Sequence, residues 1–347
     1  MLGLDLGIDM GTAQTIIAVP GRGVMLKEPS VIAVDKADGH IIACGTEAYD
    51  MLGRTPDSIL AIRPLSKGVI SDYDYAEQMM RIFIRKVCAY KMIKPRAAVS
   101  LPASVTEVEQ RSAVEAVTAS GVRKVVLIEE SVAAALGAGL DLTVPQGNMV
   151  VDIGAGTTDI AVLSLKGIAY STSVRIGGAD MDEAIIRYMR NRHNLVIGLL
   201  TAEQVKKTIG LASSSPNPHK MVVRGRNALT GLPGTQEIDG NEVADAIHEA
   251  IEEIFKAVQE VLESTPPELA GDVLTSGITM TGGVSQLKGL SKCLAAYTGV
   301  ECRLAEEPET CVALGTSKTL KFASSLSAGV YDIGQFSYRL SDSMNIS

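Results

Sequence analysis

A chain of 347 residues, 46% hydrophobic and 21% charged, has globular composition and exceeds one ordinary core, so two or more lobes are expected. Its formal charge of -8 excludes a sequence-neutral grip on nucleic acid or anionic lipid, except through a local basic patch. Five cysteines without a C-x-x-C pair argue against a disulfide framework and fit a reducing compartment.

The opening Met1-Leu-Gly-Leu-Asp-Leu-Gly lacks a basic segment followed by a long apolar one, so no secretory signal is read there. No apolar run approaches the ~18 residues of a membrane span, and a cytosolic protein is expected. Ile8-Asp9-Met10-Gly11-Thr12-Ala13-Gln14-Thr15 then leads into the apolar Ile16 to Val19. Asp5-Leu6-Gly7 offers a competing register. Asp9 is preferred because Thr12 and Thr15 follow it and a second strand begins at once. Strands are also expected at Val31 to Val34 and Ala97 to Leu101. Ahead of the latter, Lys91-Met92-Ile93-Lys94 reads as a loop. Its Met92 and Ile93 either tuck into their own lobe or enter a lipid headgroup region. Thr106-Glu-Val-Glu109 has capping-box spacing, and Gly121 can close that helix in a left-handed turn. The strand Val125 to Ile128 runs into Glu129, Glu130 and a helix over Ser131 to Ala138. A carboxylate there can orient or deprotonate water in a cleft, or simply stabilise the helix N-terminus; either glutamate fits.

In the second half, Met149 to Ile153 carries Asp152-Ile153-Gly154-Ala155-Gly156-Thr157-Thr158-Asp159 into the strand Ile160 to Leu163. This repeats the first pattern: strand, carboxylate, glycine-bearing turn with threonines, strand. Glycine lets phosphate approach the main chain, and threonine hydroxyls add donors. An aspartate and a phosphate repel, so a divalent cation must stand between them. Two facing tips would clamp a polyphosphate and its metal. One copy alone is a tight turn; two copies in matching strand contexts are a site. Neither a Walker A loop nor G-x-G-x-x-G is present.

Ser213 to Lys220 and Gly231 to Gly240 read as loops. A long helix is predicted from Glu242 to Glu263, with Val243, Ile247, Ile251, Ile254, Val258 and Val261 on one face and Pro266-Pro267 beyond its end. Gly277 to Met280 is a strand that leads through Thr281 into Gly282-Gly283-Val284-Ser285, a turn able to lie flat against a base or ribose, or merely a turn. His40, His193, His219 and His248 have no metal partner at suitable spacing, and Cys293, Cys302 and Cys311 read as core thiols. The tail after Ser324 is polar without helical periodicity and is expected to be loosely ordered.

The two aspartate tips and Thr281 to Gly283 resemble the phosphate and adenosine motifs of the actin, heat-shock chaperone and sugar-kinase superfamily. Longer stretches resemble the MreB and Mbl family of bacterial cell-shape proteins, over roughly Leu4 to Leu320. They include Glu28-Pro-Ser-Val-Ile, Ile62-Arg-Pro-Leu, Leu127-Ile-Glu-Glu, Val223-Arg-Gly-Arg and Thr265-Pro-Pro-Glu-Leu. The resemblance implies an α/β, actin-like ATPase fold: two lobes, each with a ribonuclease-H-like mixed sheet, and four subdomains. The expected boundaries are 1–33, 64–139 and 318–347 for IA, 34–63 for IB, 140–179 and 240–317 for IIA, and 180–239 for IIB.

By the same resemblance, ATP and Mg²⁺ are the expected ligands. Gly11, Thr12, Ala13 and Gln14 match one phosphate loop, and Gly154, Ala155 and Gly156 the other. Gly282, Gly283, Val284 and Ser285 match the adenosine turn, and Glu203 and Lys206 the nucleoside contacts. Asp9 and Asp152 would hold Mg²⁺ through water. Glu130 matches the glutamate that orients the attacking water, with Thr157 helping. Asp159 stands where MreB commonly has Glu and Mbl has Asp. Ala155 and Val284 replace family glycines, which weakens binding only if φ there is positive. The family implies membrane-bound paired filaments of the chain itself at the inner face of the cell membrane, anchored through Met92 and Ile93, with the wall-synthesis machinery as partner. A nucleotide-binding scaffold without turnover and a small-molecule kinase of the superfamily are the alternatives. A chaperone needs more chain after Leu320, and a division-site tether needs an apolar stripe after Ser324.

Overall fold

The computed structural model describes residues 4–88, 93–322 and 330–332. Two mixed sheets dominate it. The first runs Val330–Asp332, Lys124–Glu129, Arg96–Leu101, Asp5–Met10, Gln14–Val19, Gly23–Pro29. The second runs Gly167–Val174, Thr158–Ser164, Asn148–Ile153, Ile278–Thr281, Cys302–Leu304. Both follow one plan. Three antiparallel strands come first, joined by tight turns, and parallel strands then add beside the first of them. Parallel neighbours need long crossovers, which the amphipathic helices supply. Tyr73–Cys88 and Glu107–Ala119 do this in the first half; Gly240–Ser264 and Leu290–Thr298 are among those that do it in the second. Each half then ends its parallel strands with one more helix, Glu130–Gly137 and Cys311–Phe322.

The predicted helix ends are present. Thr106 and Glu109 form a reciprocal capping box, and Gly121 has φ +105°. The long helix spans Gly240–Ser264, capped by Asp239, with all six predicted apolar positions buried. Pro267 opens the next helix at a position where its missing N–H is not needed.

Two small sheets extend the lobes. Ile41–Cys44, Ile32–Asp35 and Ile59–Ile62 form one; Leu195–Val196, Lys220–Asn227 and Pro233–Asp239 form the other. Here the loop expected over Gly231 to Gly240 is corrected. Residues 233–239 are a strand, paired from Arg226↔Pro233 to Lys220↔Asp239. Only Ile238 on it is buried, opposite Met221, so one face is wet and the apolar signal is sparse. Pro233 sits at the strand's first residue, where a missing donor is tolerated. The tail is corrected in part too: 330–332 pairs antiparallel with Val126, Leu127 and Ile128, completing a sheet edge. The rest of the tail after Ser324 lies outside the described residues.

Each large sheet packs its own core, around Met79, Met80 and Phe83 in one lobe and Ile247, Ile254 and Val258 in the other. A third cluster, with Ile128, Val132, Val150 and Val312, fills the join between the lobes. Helices Glu130–Gly137 and Cys311–Phe322 meet there backbone to backbone. A Cβ built on Gly137 would lie 1.8 Å from the Cys311 carbonyl oxygen, and one on Gly315 1.8 Å from that of Ala133. Among the described residues no helix is long and apolar enough to cross a membrane. Cys44, Cys293, Cys302 and Cys311 are free thiols, Cys311 buried and the other three half-buried.

Candidate functional site

Between the lobes lies a cleft of about 630 Å³. Its floor is built by the two hairpins that carry the aspartate motifs. Asp9 faces Ile16 across the first hairpin, and Asp152 faces Asp159 across the second. Gly11 lets the first tip close, since a Cβ there would stand 2.7 Å from the Gln14 carbonyl oxygen. The Gly154 amide closes the second by donating to the Thr157 carbonyl at 2.9 Å. The tips touch: a Cβ on Gly156 would lie 2.2 Å from Thr12 Oγ1. Asp5, the competing register, is at the far end of its strand and ion-pairs with Arg96.

Gly11, Thr12, Ala13, Gln14, Gly154, Ala155, Gly156 and Thr157 all line the cleft, as do Asp9, Glu130 and Asp152. Glu203, Lys206, Gly282, Gly283 and Val284 line it as well. Ser285 does not. It is buried, and its hydroxyl donates to the Thr281 carbonyl at the head of the short 3-10 turn Val284–Gln286. Of the two adjacent glutamates, Glu130 faces the cleft, while Glu129 lines a small separate recess with Leu101 and Leu127. Ala155 and Val284 are not among the non-glycine residues with positive φ, so their side chains are not strained by the backbone. Gly282 does need to be glycine: its φ is +83° and a Cβ would stand 2.3 Å from the Ile153 carbonyl oxygen. Met92 lies outside the described residues; its neighbour Ile93 is 47% exposed.

Lys206 donates to the Gly178 carbonyl and ion-pairs with Asp182 at 2.8 Å. Burial would raise the Glu203 carboxyl, but hydrogen bonds from Lys207 and Tyr49 and the Arg63 charge hold it below its usual range. Arg63, Asp182, Lys207, Glu309 and His219 line the cleft and were given no role from sequence. Arg63 lay in the quoted Ile62-Arg-Pro-Leu stretch; His219 had no sequence signal, being one of four scattered histidines.

The cleft floor is unusually acidic. Burial, with the Asp152 charge adding, pushes the Asp9 carboxyl up to about 8. Burial likewise pushes Asp152 up to about 7, against a 2.6 Å hydrogen bond from Thr281. Burial and then the Asp159 charge hold Glu130 well above the carboxylate range, and Asp159 is raised by burial. Asp159 Oδ2 is buried with no hydrogen-bond partner. Such an oxygen-only set suits a hard divalent cation. Among the described residues no three His, Cys, Asp or Glu side chains gather closely enough to chelate one alone. A cation here would draw further oxygens from water and phosphate, as Mg²⁺ prefers.

The shifts have a measurable consequence. Raised above the unfolded value of 3.8, both aspartates bind more protons folded than unfolded up to about pH 7–8. Without cation or nucleotide, stability should therefore rise as pH falls from about 8.5 to about 6.5, by roughly 1 kcal/mol per pH unit per titrating group. Thermal melts in chelator test this. Asp9→Asn should flatten the trend, and a melting temperature that drops on acidification across that interval would contradict it.

Comparison with known proteins agrees with this architecture. The family profile described as MreB/Mbl protein matches residues 3–328. The cell shape-determining protein MreB of Escherichia coli K12 is 45% identical over 327 residues, covering 92% of this chain and 94% of that protein. The cell shape-determining protein Mbl of Bacillus subtilis 168 is 43% identical over 321 residues, covering 92% and 96%. Among solved structures, MreB5 of Spiroplasma citri bound to ADP superposes with a TM-score of 0.87 at 34% identity, covering 92% of this chain and 97% of that one.

Proposed function

The chain belongs to the MreB/Mbl family and has its actin-like ATPase fold of two lobes and four subdomains; from that premise we propose that it binds and slowly hydrolyses ATP in the interlobe cleft and assembles into filaments. The observation that carries this reading is the convergence of Asp9 and Asp152, on two alike hairpin tips, at the floor of one cleft. The ADP-bound relative supports the choice of ligand.

Backbone amides and hydroxyls of Gly11 to Gln14 and Gly154 to Thr157 would cradle the phosphates. Asp9 and Asp152 would hold Mg²⁺ through its water shell, where it neutralises charge on the phosphate oxygens. Glu203 and Lys206 would meet the ribose, and Gly282, Gly283 and Val284 the base. Glu130, helped by Thr157, would orient a water whose oxygen attacks the γ-phosphorus as the bond to the β,γ-bridging oxygen breaks. Burial and the neighbouring carboxylates favour the protonated form of Glu130, so it would take the water's proton only when ionised, a form that a cation beside those carboxylates would favour. The proposed subdomains follow the boundaries expected from sequence, with the two small sheets as the cores of IB and IIB. Exposed Ile93, next to Met92 between Lys91 and Lys94, would rest filaments on the inner membrane surface. Repetition along a filament multiplies so weak an anchor. There the filament would direct wall synthesis and rod shape.

Sedimentation and electron microscopy test this directly. Wild type with ATP and Mg²⁺ should pellet as filaments and co-sediment with phosphatidylglycerol vesicles, and Ile93→Ser should lose the vesicles but keep the filaments. A chain that neither binds ATP nor pellets sinks the proposal.

A further inference from the structure

The two-residue turn joining strands Leu65–Ser66 and Val69–Ile70 sits where the hairpin tips meet, and the chemistry above does not use it. Its central residues, Lys67 and Gly68, have φ of +50° and +74°. Such turns favour Asn-Gly; a lysine in the first position is held against its backbone preference, which persists only where the surroundings enforce it.

The surroundings do enforce it. The Gly68 amide donates to Thr12 Oγ1 at 3.1 Å, tying the turn to the first tip. A Cβ on Gly156 would lie 2.9 Å from Lys67 Cα, so the turn also lies against the second tip. From there the Lys67 side chain crosses to the other lobe. Its Nζ donates to the Arg175 carbonyl at 3.1 Å and to the Asp180 carboxylate. Asp180 accepts as well from the Gly177 amide at 3.0 Å, at the start of helix Gly178–His193. That helix is itself bonded to the second tip, Gly178 and Ala179 donating to the carbonyls of Gly154 and Ala155 at 3.0 and 2.8 Å. One turn thus touches both tips through its backbone and, through the Lys67 side chain, the helix that braces the second.

Building on the proposed ATP cleft, we propose that Lys67 is a positioning residue for the phosphate cradle: its ion pair with Asp180 keeps the two tips in mutual register and sets how long a nucleoside phosphate stays between them. An exposed ion pair by itself contributes little. This one matters through where it is anchored, because releasing it frees a strained turn that both tips lean on.

Two measurements test the assignment. The first is hydrogen exchange of nucleotide-free protein over residues 154–158 and 177–181; the second is the release rate of a fluorescent ADP analogue. Lys67→Ala should exchange faster in those segments and release the analogue about tenfold faster, whereas Lys67→Arg should stay near wild type in both. Asp180→Asn, which keeps the oxygen that caps Gly177, should match Lys67→Ala, and the double variant should be no worse than either alone, as expected for one shared interaction. Unchanged local exchange in Lys67→Ala, additive effects in the double variant, or a uniform rise in exchange across the whole chain would each overturn the assignment. So would an unchanged release rate in a protein that binds the analogue. If wild type binds no nucleotide, the ATP reading fails separately, and exchange in the nucleotide-free protein still decides the role of Lys67.

Discussion

Glu130→Gln is expected to lower ATP turnover by about 10²–10⁴-fold while leaving nucleotide affinity within a few-fold of wild type. Glutamine has nearly the shape of glutamate, so the start of helix Glu130–Gly137 and the cleft outline are retained. What disappears is the ability to accept a proton from water. The same change removes a buried carboxyl that is crowded by Asp159, Asp9 and Asp152. Nucleotide-free protein should therefore melt higher, not lower. That pairing of effects separates the roles open to this residue. A glutamate that merely stabilised a helix N-terminus would lose stability on neutralisation and leave turnover untouched. Single-turnover phosphate release and calorimetry measure the two sides, and unchanged turnover would remove Glu130 from the mechanism.

The largest structural effect is expected at Gly315. An alanine there places its methyl 1.8 Å from the Ala133 carbonyl oxygen and 2.8 Å from the Gly137 amide nitrogen. Both are backbone atoms inside a helix, so neither can rotate away, and the two helices must separate. A destabilisation of about 3 kcal/mol is expected, lowering the melting temperature by about 4 °C for a chain of this length. Gly271→Ala is the control. That glycine also lies in a helix, Pro267–Ser276, but nothing stands within 4 Å of its Cβ position, so the change should be neutral or mildly stabilising. Equal melting temperatures for Gly315→Ala and wild type would mean that the helix seam is looser than its geometry.

Much of this was legible because the sequence states the main idea twice. The Asp9 and Asp152 patterns each carry a strand, a turn and a strand in plain hydrophobic period, so hairpins with carboxylates near their tips could be read directly. The long helix showed its buried face in six residues and its stop in two prolines. Strand Pro233–Asp239 was missed because it is an edge with one wet face; Gly, Pro, Thr and Gln there look like loop residues. The short strand Val330–Asp332 has too few residues to show a period. Arg63, Asp182 and His219 reach the cleft only through tertiary packing, which local spacing does not encode. Ser285 was overextended from a motif: one residue beyond the glycines, the chain turns into a 3-10 helix and carries the hydroxyl inward.

The common plan of the two halves has one last consequence. Each half contributes an alike tip, so under the proposed function the polyphosphate end of a ligand would be held from both halves. Glu203, Lys206 and Gly282 to Val284 all come from the second half. In that reading a bound nucleotide would be shared at one end and held by the second half alone at the other. When the halves part, the nucleoside should travel with the second while the phosphates lose one of their two holders. Departure would then begin at the charged end, and inorganic phosphate would escape well before the diphosphate left behind.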